Sequence, residues 1–469
     1  MAGLTCGLML ARAGRRVTVL ERDGAALPGD IDEAAADWAR PTVPQVQHAP
    51  GFMALARSVL ARRLPDVLDD LLTHGAREFP LREWIPSTPA GADAIDRART
   101  DELISLGCRR TTLEWVLRRC AAAQPRLTLV PGATVTGLMW RSGPVPRVIG
   151  VRTRAHGALR TDVVIDASGR RTEVDRWATD AGAGFPGWDE HCGLVVYTRF
   201  YRVRDMSAMP RMPRGNATVL VLDGCAAYAF LADNDTVAVV LARHPQDDDL
   251  ADLRCPAVFE AAAAAVPPLA PWVDPTRTEP ISPVAVMGGL RATMRFPLRD
   301  GRPRLLGMHA IGDALATTNP AYGRGASLAM AHGEIVTDGL AAEPDSPLRQ
   351  AELISHRLTA LTLPHWLDTV RHDRGRISLW RATLGLPRTA PPPRMSMPMP
   401  VAAAAGAVDA DIWVRVARAV HMLDPPQSVF DHPALAARIC DLDPPPLTWP
   451  ARRADLLAAI GAPPALRSA

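Results

Sequence analysis

The chain has 469 residues, a length that predicts two or three packed units with a large core. Hydrophobic residues make up 48% and charged residues 22%, which excludes wholesale disorder and collagen-like or coiled-coil architectures. The net charge is only +3 and no block of like charge occurs, so the sequence favours neither nucleic acid nor an anionic membrane as a partner.

Counts of single residue types narrow the chemistry further. All 53 basic residues are arginines, which excludes Schiff-base and lysine-nucleophile mechanisms. The seven cysteines are scattered without a Cys-x-x-Cys pair, which predicts a reduced, cytoplasmic protein with no zinc ribbon or disulfide framework. No stretch of 18 uncharged apolar residues occurs, so we expect no membrane span. We also predict no metal site.

The first half of the chain predicts alternating helices and strands. An opening helix ends at Gly14, and a short strand that follows closes on Glu21, which together make half of a βαβ unit. Helical spacing returns over residues 43–75 and again in "RRTTLEWVLRRCAA". Further strands are predicted in "LTLVPG", in "VIGVRT" and in the apolar run that ends at Asp166.

The second half of the chain has a different residue pattern. From about residue 193 to residue 297 apolar and polar residues alternate, with Asn234 and Asp235 at a turn, which predicts an antiparallel sheet. An apolar strand over residues 304–311 leads to Gly312 and to a long helix after Gly325. A proline-rich linker over residues 387–400 precedes a helical C-terminal segment.

Two motifs carry chemistry. Gly3 fits the third glycine of a dinucleotide-binding G-x-G-x-x-G loop, and Glu21 stands where the acid that binds a ribose is expected, but the first strand and first two glycines are absent. In "IGDALATTNPAYGRGAS" a strand delivers Asp313, whose carboxylate can accept hydrogen bonds from polyol hydroxyls. Gly323 and Gly325 then allow a ring system to lie against the backbone at the positive end of a helix.

Four features, taken in order, resemble the FAD-dependent monooxygenases of the para-hydroxybenzoate-hydroxylase fold. They are Glu21 with Gly3, "RRTTLEWVLR", "VVIDASGRR" and "IGDALATTNPAYGRGASLA". The chain is particularly similar to their polyketide-epoxidase and halogenase-like branch, which also carries a "VPQ..H" segment, here ending at His48. The resemblance covers most of residues 1–340. It implies oxygen transfer, a hydroxylation or epoxidation, to a small hydrophobic metabolite through a flavin C4a-hydroperoxide.

The resemblance also implies the cofactor contacts. Glu21 would bind the adenosine ribose, Arg110 the flavin or its phosphates, and Asp313 the ribityl and pyrophosphate part. Residues 323–325 would lie beside the pyrimidine edge of the ring, and residues 166–169 would border the adenine. The implied FAD-binding residues are Gly3, Glu21, Arg22, Arg110, Asp166, Gly169, Gly312, Asp313, Pro320, Gly323 and Gly325.

Departures from the family leave the electron supply open. The segment around Asp166 lacks the full Asp-Gly motif linked with NAD(P)H contact, so NAD(P)H could act directly or through a partner flavin reductase. The chain has neither the lysine nor the "GWxWxIP" segment of tryptophan halogenases, which disfavours that reaction. No catalytic base is evident; the substrate-pocket candidates are His48, Tyr197, Arg199 and Tyr201.

The sequence thus predicts an α/β protein with a Rossmann-like FAD-binding domain, an inserted antiparallel substrate sheet and a C-terminal helical segment. The predicted FAD-binding parts are residues 1–75, 109–185 and 298–345. Residues 76–108 and 186–297 would form the substrate domain, and residues 346–469 the helical region.

Two hypotheses compete with a monooxygenase. The first is a flavin-dependent dehydrogenase or reductase of the geranylgeranyl-reductase type, and the second is a degenerate, flavin-free binding protein, suggested by the missing glycines. A further expectation concerns Met1. Because "MAGL" fits inside the family pattern, we expect Met1 to be an internal methionine taken as the start, with weak FAD retention if it is the true one.

Overall fold

The structure is a computed structural model, and it describes residues 1–38, 40–87, 95–389, 397–442 and 449–461. Its helices in chain order are α1 (Ala2–Arg12), α2 (Ile31–Ala36), α3 (Ala54–Arg63), α4 (Pro65–Thr73), α5 (Arg110–Ala123), α6 (Val174–Asp180), α7 (Pro256–Ala264), α8 (Gly325–Ala342), α9 (Pro347–Thr383), α10 (Met399–Gly406), α11 (Ala410–Val420), α12 (Gln427–Phe430), α13 (Pro433–Asp441) and α14 (Arg453–Ala459).

The strands are β1 (Val17–Glu21), β2 (Arg77–Pro80), β3 (Ile104–Gly107), β4 (Leu127–Pro131), β5 (Val135–Arg141), β6 (Arg147–Thr153), β7 (Gly157–Arg160), β8 (Val164–Asp166), β9 (Gly187–His191), β10 (Val195–Val203), β11 (Ala217–Val221), β12 (Cys225–Leu231), β13 (Thr236–Arg243), β14 (Thr278–Pro280), β15 (Ala285–Met287), β16 (Arg291–Arg295), β17 (Leu298–Arg299), β18 (Arg302–Pro303), β19 (Met308–Ala310) and β20 (Ala316–Thr317). The mixed α/β class predicted from the sequence is therefore confirmed.

The parallel strands form two separate pairs. β1 pairs with β4, beginning with Val17 opposite Leu127, and β8 pairs with β19, with Ile165 opposite His309. Within the described ranges no strand lies between β1 and β8, so the parallel sheet expected from the sequence is divided into two halves. α1 crosses α8 closely, since a Cβ on Gly333 would lie 3.1 Å from the Cα of Cys6.

An antiparallel sheet follows in the order β11, β12, β13, β10, β14, with β15 also paired to β10. The predicted turn between β12 and β13 is present, and Asn234 and Asp235 have positive φ values of 51° and 52°, as a tight hairpin turn requires. α7 packs on one face of this sheet and α9 on the other. The antiparallel sheet predicted from the alternation is confirmed; the six-part domain division stays a prediction.

Two local predictions need correction. The helical spacing over residues 43–75 corresponds to a 3-10 turn, Pro44–Gln47, followed by α3 and α4, because Pro65 cannot continue the hydrogen bonding of α3. The strand predicted over residues 304–311 is only three residues long, β19. The central part of the proline-rich linker lies outside the described residues.

Candidate functional site

A cavity of about 1610 Å³ lies between the two parallel pairs and reaches the start of α8. β1 lines one wall and β8 the other, and the 3-10 turn Pro44–Gln47 and Pro320 close one end. Ligand sites commonly occupy up to about 1,000 Å³, so this space exceeds what one small molecule needs. All eleven residues predicted to bind FAD except Gly312 line the cavity.

Asp313 lies beside the N-terminal turn of α8. A Cβ on Gly325 would be 3.9 Å from its Oδ1, and no described residue donates a hydrogen bond or forms an ion pair with its carboxylate. The positive end of α8 favours a negative charge at this place. A carboxylate in this position can accept hydrogen bonds from the hydroxyls of a bound polyol.

The turn that carries Asp313 is fixed by a buried histidine. Gly312, with a φ of 57°, donates its N–H to Nδ1 of His332 at 3.0 Å. Nδ1 therefore accepts, and Nε2 carries the proton that it donates to Oγ1 of Thr362 at 2.8 Å. Burial lowers the pKa of His332 to about 3, so the imidazole stays neutral and keeps this hydrogen-bond pattern.

Two loops touch through glycine backbones next to Asp313. Gly323 has a φ of 66°, and a Cβ on Gly51 would lie 2.6 Å from the Cα of Gly323. No side chain fits between these backbones without a shift. The contact brings the segment that follows His48 against the turn Pro320–Tyr322, where the sequence predicts the flavin ring.

Replacing Gly51 with Ala should therefore separate the two loops and weaken FAD binding by at least tenfold. The added Cβ meets backbone atoms, which cannot rotate away as a flexible side chain can. Titration of the purified protein with FAD, followed by flavin fluorescence, measures the effect. Gly375→Ala is the control, since nothing lies within 4 Å of its Cβ position and its φ is not positive; equal affinity in both variants would contradict the prediction.

Glu21 is part of a dense ionic network. Its Oε2 accepts hydrogen bonds from Arg40 and Arg118 at 3.0 Å each, and its Oε1 accepts the N–H of Asp23 at 3.0 Å. Arg40 also donates to Glu114 at 2.8 Å. The carboxylate is 27% exposed, so it keeps an open side towards the cavity while two guanidinium groups fix its position.

Arg110, predicted to contact the flavin, donates from Nε to Oε1 of Glu114 at 3.1 Å and lines the cavity. Burial alone would raise the pKa of Glu114, but nearby positive charges, including Arg110 and Arg40, lower it to about 2. Glu114 is thus charged and holds Arg110 in place. Arg22 is exposed at the cavity wall next to Glu21.

The carboxylate of Asp166, at the end of β8, accepts hydrogen bonds from residues of the turn that follows. Oδ1 of Asp166 accepts the backbone N–H and the hydroxyl of Ser168 at 2.9 and 2.6 Å, and Oδ2 accepts the hydroxyl of Thr172 at 2.5 Å. Gly169 has a φ of 84°. A Cβ on Gly3 would lie 3.2 Å from the Cβ of Ala167, so Gly3 allows the start of α1 to approach this turn.

Among the pocket candidates, only His48 lines the cavity. Its Nδ1 is 2.8 Å from Oγ1 of Thr198 on β10, and burial, with a smaller contribution from Arg170, lowers its pKa to about 4. His48 is therefore neutral at physiological pH and serves as a hydrogen-bonding group. Gln45, one turn earlier, also lines the cavity, and its buried Oε1 has no hydrogen-bond partner among the described residues.

The structure places Tyr197, Arg199 and Tyr201 away from the residues that line this cavity. These residues share the face of β10 that packs against α7: Arg199 donates to Glu260 at 2.6 Å, and the hydroxyl of Tyr197 accepts from Arg243 at 2.9 Å. Successive side chains of a strand point to opposite faces. Thr198 and its even-numbered neighbours therefore face α9 and His48 instead.

The sequence analysis missed the contribution of α9. Arg324, in the middle of the Gly323 to Gly325 segment, donates to the backbone oxygen of His365 at 2.7 Å and pairs with Asp368. Asp368 and Asp373 are buried acids within a long helix, at 3% and 2% exposure. Buried acids require partners, and this is the signal that could have pointed to them.

Two other kinds of feature are absent from the part of the chain that the structure describes. Across the described ranges, no group of three or more histidine, cysteine or acidic side chains is arranged to hold a metal ion. In the same part of the chain, no helix combines the length and the apolar character that crossing a bilayer needs.

Comparisons with solved structures show which fold the chain has. No family model matches the chain. Protein Rv3254 of Mycobacterium tuberculosis (strain ATCC 25618 / H37Rv) is 26% identical over 414 residues, which cover 82% of this chain and 80% of Rv3254. The structure of the flavin-dependent brominase Bmp2 superposes with a TM-score of 0.59 at 15% identity, covering 94% of this chain and 96% of Bmp2.

The p-nitrophenol 4-monooxygenase PnpA from Pseudomonas putida DLL-E4 superposes with a TM-score of 0.57 at 15% identity, covering 90% of this chain and 96% of PnpA. The chain therefore has the fold of flavin-dependent monooxygenases, and the fold resemblance inferred from the sequence is confirmed.

Proposed function

We propose that this chain is an FAD-dependent monooxygenase that transfers one oxygen atom to a small hydrophobic metabolite, by hydroxylation or epoxidation. The observation that carries the proposal is the carboxylate of Asp313 near the start of α8, which has no partner among the described residues and lies in a cavity that every other predicted FAD-binding residue except Gly312 also lines. The fold shared with Bmp2 and PnpA supports it. Electrons would come from NAD(P)H, directly or through a reductase.

The residues present fit an FAD molecule. Asp313 would hold the polyol, Glu21 the adenosine ribose, and the turn at residues 320–325 the ring, with Arg110 near the phosphates. When bound and reduced, the flavin activates dioxygen, and the protein positions the substrate and excludes water. His48 and Gln45 would orient a polar group of the substrate at the apolar end formed by Met287, Leu290 and Pro320.

The test is reconstitution with FAD followed by single-turnover oxidation. The protein is loaded with FAD, reduced chemically without oxygen, and mixed with labelled dioxygen and a panel of phenols and polyenes. A labelled oxygen atom in one product supports the proposal. Transfer of hydride to substrate without label would favour the dehydrogenase alternative, and failure to bind FAD would favour the flavin-free binding protein.

Asp313→Ala should weaken FAD binding by about ten- to a hundredfold, because it removes hydrogen bonds to a charged group that are worth roughly 1.5–3 kcal/mol. The matched control is Asp345→Ala. Asp345 lines the same cavity but follows the far end of α8, whose 18 residues span about 27 Å. Isothermal titration with FAD measures both variants, and equal losses would show that Asp313 has no special role.

A further inference from the structure

Asp373 of α9 collects hydrogen bonds from the segment that would hold the flavin ring. Its Oδ1 accepts from Nδ2 of Asn319 at 2.6 Å and from the hydroxyl of Tyr322 at 3.1 Å. Asn319 precedes the turn Pro320–Tyr322 and is fully buried, and Tyr322 is the last residue of that turn. These hydrogen bonds connect the turn to α9.

Asn319 transmits this constraint to the backbone of the turn. While its Nδ2 donates to Asp373, its Oδ1 accepts the N–H of Ala321 at 3.0 Å. The amide group is therefore fixed at both ends and cannot flip without losing both bonds. The backbone around Pro320, which lines the cavity, is tied to the Asp373 carboxylate by a single side chain.

The same carboxylate is tied to the antiparallel sheet. Nη2 of Arg376 donates to Oδ1 of Asp373 at 2.8 Å, and the guanidinium also donates to the backbone oxygens of Cys192 and Gly193, which precede β10. Arg376 lies over the ring of Trp380, 4.6 Å from its centroid. Asp373 thus joins the start of β10 to the turn at Pro320.

Asp373 is a costly residue to bury. Its Oδ2 has no hydrogen-bond partner among the described residues, and desolvation raises the pKa of the carboxyl although Arg376, Asn319 and Tyr322 act in the opposite direction. An apolar residue would fill the same space without this penalty. The residue's contacts with the turn supply a reason for its presence that packing alone does not.

We propose that Asp373 is a positioning residue that fixes the turn Pro320–Tyr322 relative to the antiparallel sheet. It acts on the turn through Asn319 and Tyr322, and on the sheet through Arg376. This inference rests on the proposed function. It goes further because it assigns to α9, outside the predicted FAD-binding parts, control over where the ring lies.

The experiment compares Asp373→Asn and Tyr322→Phe in the full chain. Asp373→Asn keeps the shape but removes the charge, and Tyr322→Phe removes only one hydrogen bond, so it keeps the test valid if the first variant fails to fold. Each should weaken FAD binding about tenfold and change the visible spectrum of the bound flavin, measured by titration and absorbance.

Arg371→Gln is the matched control, because Arg371 lies on the same helix but forms its 2.7 Å ion pair with Asp431, just after α12, and not with the turn Pro320–Tyr322. It should leave FAD affinity and spectrum unchanged. The inference is overturned if the two test variants lower only the melting temperature and bind FAD with wild-type affinity and spectrum. A wild-type chain that does not bind FAD would overturn the proposed function, and the inference with it.

Discussion

Acidification from pH 7.5 to pH 5 is expected to remove most of the protein's stability, because several buried histidines are held neutral. Burial lowers their pKa values from 6.5 to about 4 or about 3. They are His48, His309, His332, His365 and His421. Chemical denaturation at a series of pH values measures the loss.

The sign follows from linkage. With a lower pKa in the folded state, the unfolded chain binds more protons between about pH 4 and pH 6.5, so stability falls as the pH falls through this window. Each histidine then costs roughly 2 kcal/mol by pH 5. Five such groups amount to a loss of about 10 kcal/mol, comparable with the total stability of a typical protein. A folding free energy unchanged between pH 7.5 and pH 5 would contradict this account.

His309→Leu isolates one of these groups. His309 lies on β19, is 4% exposed, and its Nε2 has no hydrogen-bond partner among the described residues. The variant should therefore lose about 2 kcal/mol less than the wild type between pH 7.5 and pH 5. His156→Leu, at an exposed position, is the control for the loss of an imidazole as such. Parallel pH profiles for His309→Leu and the wild type would contradict the prediction.

Local patterns predicted those parts of the site that depend on the backbone. α1, β1 and the start of α8 lie where glycine spacing and apolar periodicity place them. Gly3 lies in a tight contact with Ala167, and Gly323 has a positive φ that favours glycine. The acid at the end of β1 is likewise predictable, because strand ends and helix starts are defined by short segments. These features involve residues that are near one another in sequence.

Side-chain partners that are distant in sequence could not be predicted. Arg118 is 97 residues from Glu21, and Asp373 is 54 residues from Asn319, so no local pattern connects them. The face of β10 was ambiguous for a different reason. Tyr197 and Thr198 are 2% and 1% exposed, so both faces of the strand are buried and alternation gives no clue to which one faces the cavity.

Arg324→Met is expected to destabilise the protein by about 3–5 kcal/mol, because it leaves the carboxylate of Asp368 buried without its arginine partner. Both side chains are 4% exposed, and Arg324 also donates to the hydroxyl of Thr369 at 2.9 Å. Burial alone would raise the pKa of Asp368, but His372 and Arg324 lower it well below the usual range. The Asp368 carboxylate therefore stays charged in the folded protein.

Urea denaturation at pH 7.5 provides the measurement. Arg374→Met serves as the control, since its ion pair with Glu190 is 44% and 37% exposed and pairs of this kind contribute about 0–1 kcal/mol. Equal losses in the two variants would show that burial of the Arg324 pair does not matter. The double variant Arg324→Met with Asp368→Leu should recover much of the lost stability, because neither charge of the pair remains buried. It should nevertheless bind FAD weakly, because Arg324 no longer connects the segment from Gly323 to Gly325 to α9.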